Sequence, residues 1–268
     1  GMVEDLKLLN QMGLAKFSID GSIKRRHQRS LVFKVNGKLV LLDGNNRPEP
    51  TTWVIRAGNR EGYSAIIKIQ YRHSQFWGNC QVPIAPWTFT EMKHKAASNR
   101  YERYQNSEKK YRCGFAGRWY YARVGMLKRL DKIQGTDVEY WHKKRNKEAA
   151  SPISEYLDRT CSWRSAYVPA GRSRTTGEGI DGKTWREIEC AAMGISMILE
   201  ADRDYHIPLV PYEHYIPVAN QDSLEKAVEM VLEDKELGIR GRQWYDAAAS
   251  PMGICRTFLE VLEKLGIL

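Results

Sequence analysis

Beyond residue 110 the chain alternates short apolar runs with stretches of helical spacing, and no other feature limits its fold as much. KYRCGFAG (110–117) reads as a strand ending in glycine, and WYYARVGMLKRLDKI (119–133) carries Tyr120, Val124, Leu127 and Leu130 at helical spacing. DVEYWH (137–142) is a strand, and SPISEYLDRT (151–160) is a helix capped by Ser151 with Pro152 in its first position. AYVPAG (166–171) is a strand, and KTWREIECAAMG (183–194) is a helix closed by Gly194. ISMILEA (195–201) and HYIPVAN (214–220) are strands. Ser223 opens a helix with Leu224, Ala227, Val228, Val231 and Leu232 on one face, and two more helices follow near 238–249 and 253–266. This order predicts a mostly parallel sheet wrapped by helices. Such sheets bind ligands beyond the carboxyl ends of their strands. The loops that matter therefore follow residues 116, 170 and 200.

The first half has a different texture. LVFKVNGKLVLLD (31–43) places two apolar runs around Asn36-Gly37, a hairpin signal. TTWVIRA (51–57) and YSAIIKIQYR (63–72) are strand candidates, and QVPIAPWTF (81–89), with its two prolines, reads as loop. The charged stretch 91–110 is expected to be a surface helix and connector. The expectation is an α/β protein with a smaller, reduced N-terminal α/β domain over 1–110 and a Rossmann-like parallel-sheet domain over 111–268.

Composition narrows the class. With 42% hydrophobic and 28% charged residues the chain reads as soluble and globular, and no apolar run approaches the ~20 residues of a membrane span. The amino end lacks a basic segment followed by an apolar one, so no secretory signal is expected. The five cysteines lie far apart without a CxxC pair, which argues for a reducing, cytoplasmic setting and against a zinc site. The net charge of +10 calls for an anionic partner without naming one.

Two constellations suit phosphate. Gly117-Arg118 with Arg123 sits at a strand-to-helix junction, where free N–H groups and an arginine fork attract anions, although solvated surface arginines read the same way. The segment AGRSRTTGEGIDGKTWREIECAAMG (170–194) combines glycines and hydroxyls with Arg172, Arg174 and Lys183 ahead of a helix, the ingredients of a phosphate cradle. Inside that helix Arg186 and Glu189 share a face; an ordinary surface pair has the same spacing.

Two other patterns compete. Gly177 to Thr184 matches G-x-x-x-x-G-K-[ST], but the six residues before it are polar instead of a hydrophobic strand. Asp202-Arg203-Asp204 has a D-x-D form able to hold a divalent ion. His206 and His214 lack metal-ligand spacing, and the tryptophans and tyrosines are scattered as core residues are.

Residues 111–250 resemble the donor-binding domain of GT-B glycosyltransferases, nearest to the exostosin-like and KDEL-containing protein O-glucosyltransferase-like groups. CGFAGRWYYARVGMLKRL is similar to their F-x-G, arginine, helix element, and AYVPAGRSRTTGEGIDGKTWREIECAAMG to their strand, P-x-G, glycine-rich loop, R-x-x-E element. ISMILEA and VPYEHYIPVANQDSLEKAVEMVLED follow in the matching order. IIKIQYR and VPIAPWTF are similar to acceptor-side segments.

The resemblance implies transfer of a sugar from a nucleotide-diphosphate donor, with Arg186 on the diphosphate and Glu189 on the ribose. Arg118, Arg123, Arg172, Arg174 and Lys183 are further candidates for the donor, and Asp43, ending LVLLD, is the candidate catalytic base. No metal and no cofactor is expected, the nucleotide-sugar being the substrate. The acceptor is a glycan, lipid or protein, and nucleic acid is not the expected partner. An ATP-dependent P-loop phosphotransferase and a non-catalytic nucleic-acid-binding protein remain as alternative readings.

Overall fold

A computed structural model describes residues 2–13, 16–19, 30–43, 62–68, 82–86, 92–118, 124–141, 152–169, 171–172, 179–180, 185–200 and 209–268. The expected strand at 51–57 lies outside these, as do Asp202 and Asp204.

The first sheet follows helix α1 (Met2–Gln11) and runs in the order β1 (Phe17–Ile19), β2 (Ser30–Val35), β3 (Lys38–Asp43), β4 (Ala65–Lys68), β5 (Ile84–Pro86). β2 and β3 form the expected hairpin, with Asn36 at φ 48° and Gly37 at φ 84°, the left-handed pair such a turn requires. β1–β2–β3 are antiparallel and β3–β4–β5 parallel. The loop expected across 81–89 is corrected in part, because Ile84–Pro86 pairs with β4 as a strand. The proline is tolerated because β5 is an edge strand. One face of this sheet, with Phe33, Val40 and Ile67, packs on Leu6 and Leu9 of α1 and on Ile254, Phe258 and Leu262. Those last three belong to α9 (Pro251–Lys264), so the final helix returns to the first sheet.

The charged stretch 91–110 forms two short helices, α2 (Met92–Ser98) and α3 (Tyr101–Asn106). They are not a surface connector: Ala97 and Tyr104 are buried in one core with Ile188 and Ala192.

The second sheet is wholly parallel. In chain order its elements are β6 (Tyr111–Arg118), α4 (Val124–Leu130), β7 (Thr136–Trp141), α5 (Ile153–Thr160), β8 (Trp163–Val168), the short pair β9 (Gly171–Arg172) and β10 (Gly179–Ile180), α6 (Trp185–Met193), β11 (Ser196–Glu200), β12 (Ile216–Val218) and α7 (Leu224–Glu233). Then come α8 (Leu237–Trp244) and a π-helical turn, Tyr245–Ala249, where a single helix over 238–249 was expected. β8 begins three residues before the expected strand, at the buried Trp163, and Pro152 caps α5 instead of opening it.

The strands lie in the order β7-β6-β8-β11-β12. Side chains alternate across the sheet with period two. Ala116, Ala166, Val168, Met197 and Leu199 face α5 and α6, whereas Phe115, Tyr167 and Ile198 face α4 and α7. Helices thus cover both faces, and the fold is α/β and Rossmann-like.

Candidate functional site

Strand order reverses between β6 and β8: β6 continues outward to β7, while β8 continues the other way to β11. In open α/β sheets the ligand crevice lies at such a reversal, outside the carboxyl ends of the strands. Here those ends are Gly117-Arg118 of β6 and Val168 of β8. The amino end of α6 comes to the same edge, because α6 leads back into the parallel strand β11.

Arg186, in the first turn of α6, occupies this crevice. Its guanidinium carbon lies 5.1 Å from the centroid of Phe115 and 5.3 Å from that of Tyr156. Phe115 belongs to the face covered by α4 and α7, and Tyr156 packs on the other. The guanidinium therefore straddles the end of the sheet between two rings, each adding a cation–π contact. A Cβ on Gly117 would stand 2.9 Å from Arg186 Nη1 and 2.9 Å from Phe115 Cζ, so the absent side chain makes the arginine's seat.

The electrostatics favour a permanent charge there. Burial works against the cation, but Tyr156 and Glu189 outweigh it, and the Arg186 pKa moves above its ordinary value. Burial pushes the Tyr156 phenol well upward. Glu187, in the first turn of α6, is fully buried, and Glu189 is 5% exposed. A carboxylate in a first turn offsets the positive end of the helix dipole. Arg186, partly exposed, is thus the group that offers positive charge to a ligand.

Arg186 and Glu189 both lie in α6, about one turn apart, and Glu189 is buried, which does not suit an ordinary surface pair. Arg118 ends β6 at this edge, and Arg172 lies in β9, the short strand that follows β8. Arg123, Arg174 and Lys183 lie outside the described residues. Asp43 closes β3 in the other sheet and is fully buried. Sequence reasoning missed Tyr156 and Phe115 as the rings that hold Arg186, and Glu187. Phe115 stands two residues before Gly117 on a strand, and that same-face spacing was the available signal.

At the same edge Tyr167 donates to Oε1 of Glu200, the last residue of β11, at 2.6 Å. Among the described residues there is no group of His, Cys, Asp or Glu side chains able to hold a metal, and no helix is long and apolar enough to cross a membrane.

No protein-family model matches the chain, and no curated protein does. Among solved structures it is similar to the Glycosylation Associate Protein (Gap123) complex from Streptococcus agalactiae, with a TM-score of 0.42 and 10% identity over 85% of this chain and 47% of that one. The chain thus spans about half the length of that structure.

Proposed function

We propose that the chain is a GT-B-like glycosyltransferase that moves a sugar from a nucleoside-diphosphate donor to an acceptor hydroxyl on a glycan, lipid or protein. The observation that carries this reading is Arg186, held between Phe115 and Tyr156 over Gly117 at the strand-order reversal. As the sugar–phosphate bond breaks, negative charge grows on the leaving diphosphate. A fixed guanidinium stabilises that charge without having to reorganise. Arg118, Arg123, Arg172, Arg174 and Lys183 are proposed as further diphosphate contacts, and the Arg186–Glu189 pair as the anchor of the donor site. Asp43, at the carboxyl end of β3, is proposed as the base that takes the acceptor proton. No metal and no cofactor enters the proposal.

The P-loop alternative is less well supported. Its strand should run straight into the first glycine. Here β8 stops at Val168, and the β9 strand of an antiparallel pair, Gly171–Arg172 with Gly179–Ile180, lies between it and Gly177. A thermal-shift panel of UDP, GDP, ADP and ATP, each with and without Mg²⁺, tests the proposal. A ligand at 100 times its Kd stabilises by about 2.7 kcal/mol. A diphosphate should do so without the ion. Stabilisation by ATP·Mg²⁺ alone would refute the reading.

A further inference from the structure

The donor-site reading leaves open which carboxylate meets the ribose. α6 runs from the ligand edge down along the sheet, so Glu189 sits about one turn, ~5 Å, below Arg186. It is 5% exposed, flanked by the buried Ile188 and Cys190. Its charge acts on Arg186 and on Tyr156.

Glu200 is placed differently. It is the last residue of β11, partly exposed, at the same carboxyl edge as Gly117. β8 alone separates β11 from β6. Two strand spacings put the ends of β6 and β11 on the order of 10 Å apart. That suits the reach from the ribose to the terminal phosphate of a nucleoside diphosphate. The intervening strand supplies the fully buried Tyr167, whose phenol donates to Glu200 Oε1 at 2.6 Å. The Tyr167 ring lies 6.3 Å from Phe115, on which Arg186 rests at 5.1 Å. One packed row, Arg186–Phe115–Tyr167–Glu200, therefore runs beneath the strand ends, its two rings fully buried.

Resting on the donor-site reading, we propose a division of labour between the two carboxylates. Glu200, oriented by Tyr167, accepts the ribose 2′- and 3′-hydroxyl protons, and Glu189 is a positioning residue that acts through Arg186. An ionised carboxylate only accepts, and a vicinal diol offers it two donors. Tyr167 fixes the carboxylate before the ligand arrives.

The test uses isothermal titration with three probes: whichever of UDP, GDP and ADP binds the parent best, its 2′,3′-dideoxy form, and inorganic pyrophosphate. Glu200→Gln should weaken the natural nucleotide about tenfold and leave the dideoxy form and pyrophosphate unchanged. Tyr167→Phe should give a smaller loss with the same selectivity. Glu189→Gln should weaken all three probes by one common factor. The parent itself should prefer the natural nucleotide to its dideoxy form by about the factor lost in Glu200→Gln, a comparison that needs no variant to fold. Equal binding of the two nucleotides by the parent would overturn the ribose assignment while leaving the donor site standing. So would a loss of pyrophosphate binding in Glu200→Gln. Failure of the parent to bind any nucleotide or pyrophosphate would overturn the donor site and this inference with it.

Discussion

Replacing Gly117 by alanine separates the seat of Arg186 from the stability of the sheet. The new Cβ would stand 2.9 Å from Arg186 Nη1, 3.1 Å from Nη2 and 2.9 Å from Phe115 Cζ. Carbon contacts relax near ~3.5 Å, so each neighbour must retreat by roughly half an ångström. The guanidinium, held by its seat and the two rings, can be pushed off them at little cost to core packing. Phe115 is fully buried and pinned, so most of the stability cost, about 1 kcal/mol, falls on its ring. The functional cost is larger. A charge-assisted hydrogen bond contributes about 1.5–3 kcal/mol, and losing its alignment should cost about 10- to 150-fold in nucleoside-diphosphate affinity. Urea unfolding measures the first quantity and isothermal titration the second. If the variant binds the nucleotide as the parent does, Arg186 is not the ligand's partner. If it unfolds before binding can be measured, the seat is part of the core, and the argument from a displaceable guanidinium fails.

Further outcomes follow from the same geometry. Arg186→Ala should weaken nucleoside-diphosphate binding by about 1.5–3 kcal/mol in titration, and Arg186→Lys should recover only part of it, since an ammonium lacks the planar fork. Nucleotide binding should survive EDTA, and neither Asp202→Asn with Asp204→Asn nor Thr184→Ala should change it much; loss on chelation, restored by Mn²⁺, would promote the metal-dependent reading. Gly114→Ala should lower the melting temperature far more than Gly117→Ala, because its Cβ would be driven into the buried Trp163 indole. Asp137 accepts from Arg159 Nε at 2.8 Å and Trp163 Nε1 at 2.7 Å; burial alone would raise its pKa, but these donors outweigh it and hold it below the ordinary carboxylate value. That stabilisation is complete above the unfolded-state pKa near ~4 and is lost as pH falls through the lower folded value, so Asp137→Asn should flatten the acid limb of the stability–pH curve.

What the sequence made legible follows where one local cause dominates. Asn36-Gly37 adopts left-handed backbone that few other pairs tolerate, and the hairpin it predicts is present. The parallel sheet was readable because its inner strands β8 and β11 are largely buried on both faces and appear as apolar runs. The misread elements are those that tertiary pairing decides. Ile84–Pro86 becomes a strand because β4 offers a free edge, against the proline signal. Trp163–Ser165 opens β8 although Arg164 and Ser165 interrupt the apolar run, because Trp163 lies over Gly114 on β6 and reaches Asp137 on β7. No local window around 163 contains either neighbour.

The site divides along the same line. Arg186 and Glu189 were visible as a pair because helical spacing brings residues three apart onto one face. Whether that face meets water or the core depends on which helices pack beside α6. Tyr156 of α5 covers it at Arg186, and α2 and α3 pack on the same helix, although their own charged sequences gave no hint of this. The consequence is chemical. Had the pair lain on a solvated face, its two charges would have compensated each other at little net value. Under that cover Glu189 sinks beneath the edge and only Arg186 emerges. The crevice then keeps a net positive group at the strand-order reversal, flanked by Phe115 and Tyr156, and the carboxylate left at the rim is Glu200, two strands away. A ligand matched to that layout carries its anion at one end and hydroxyl donors at the other.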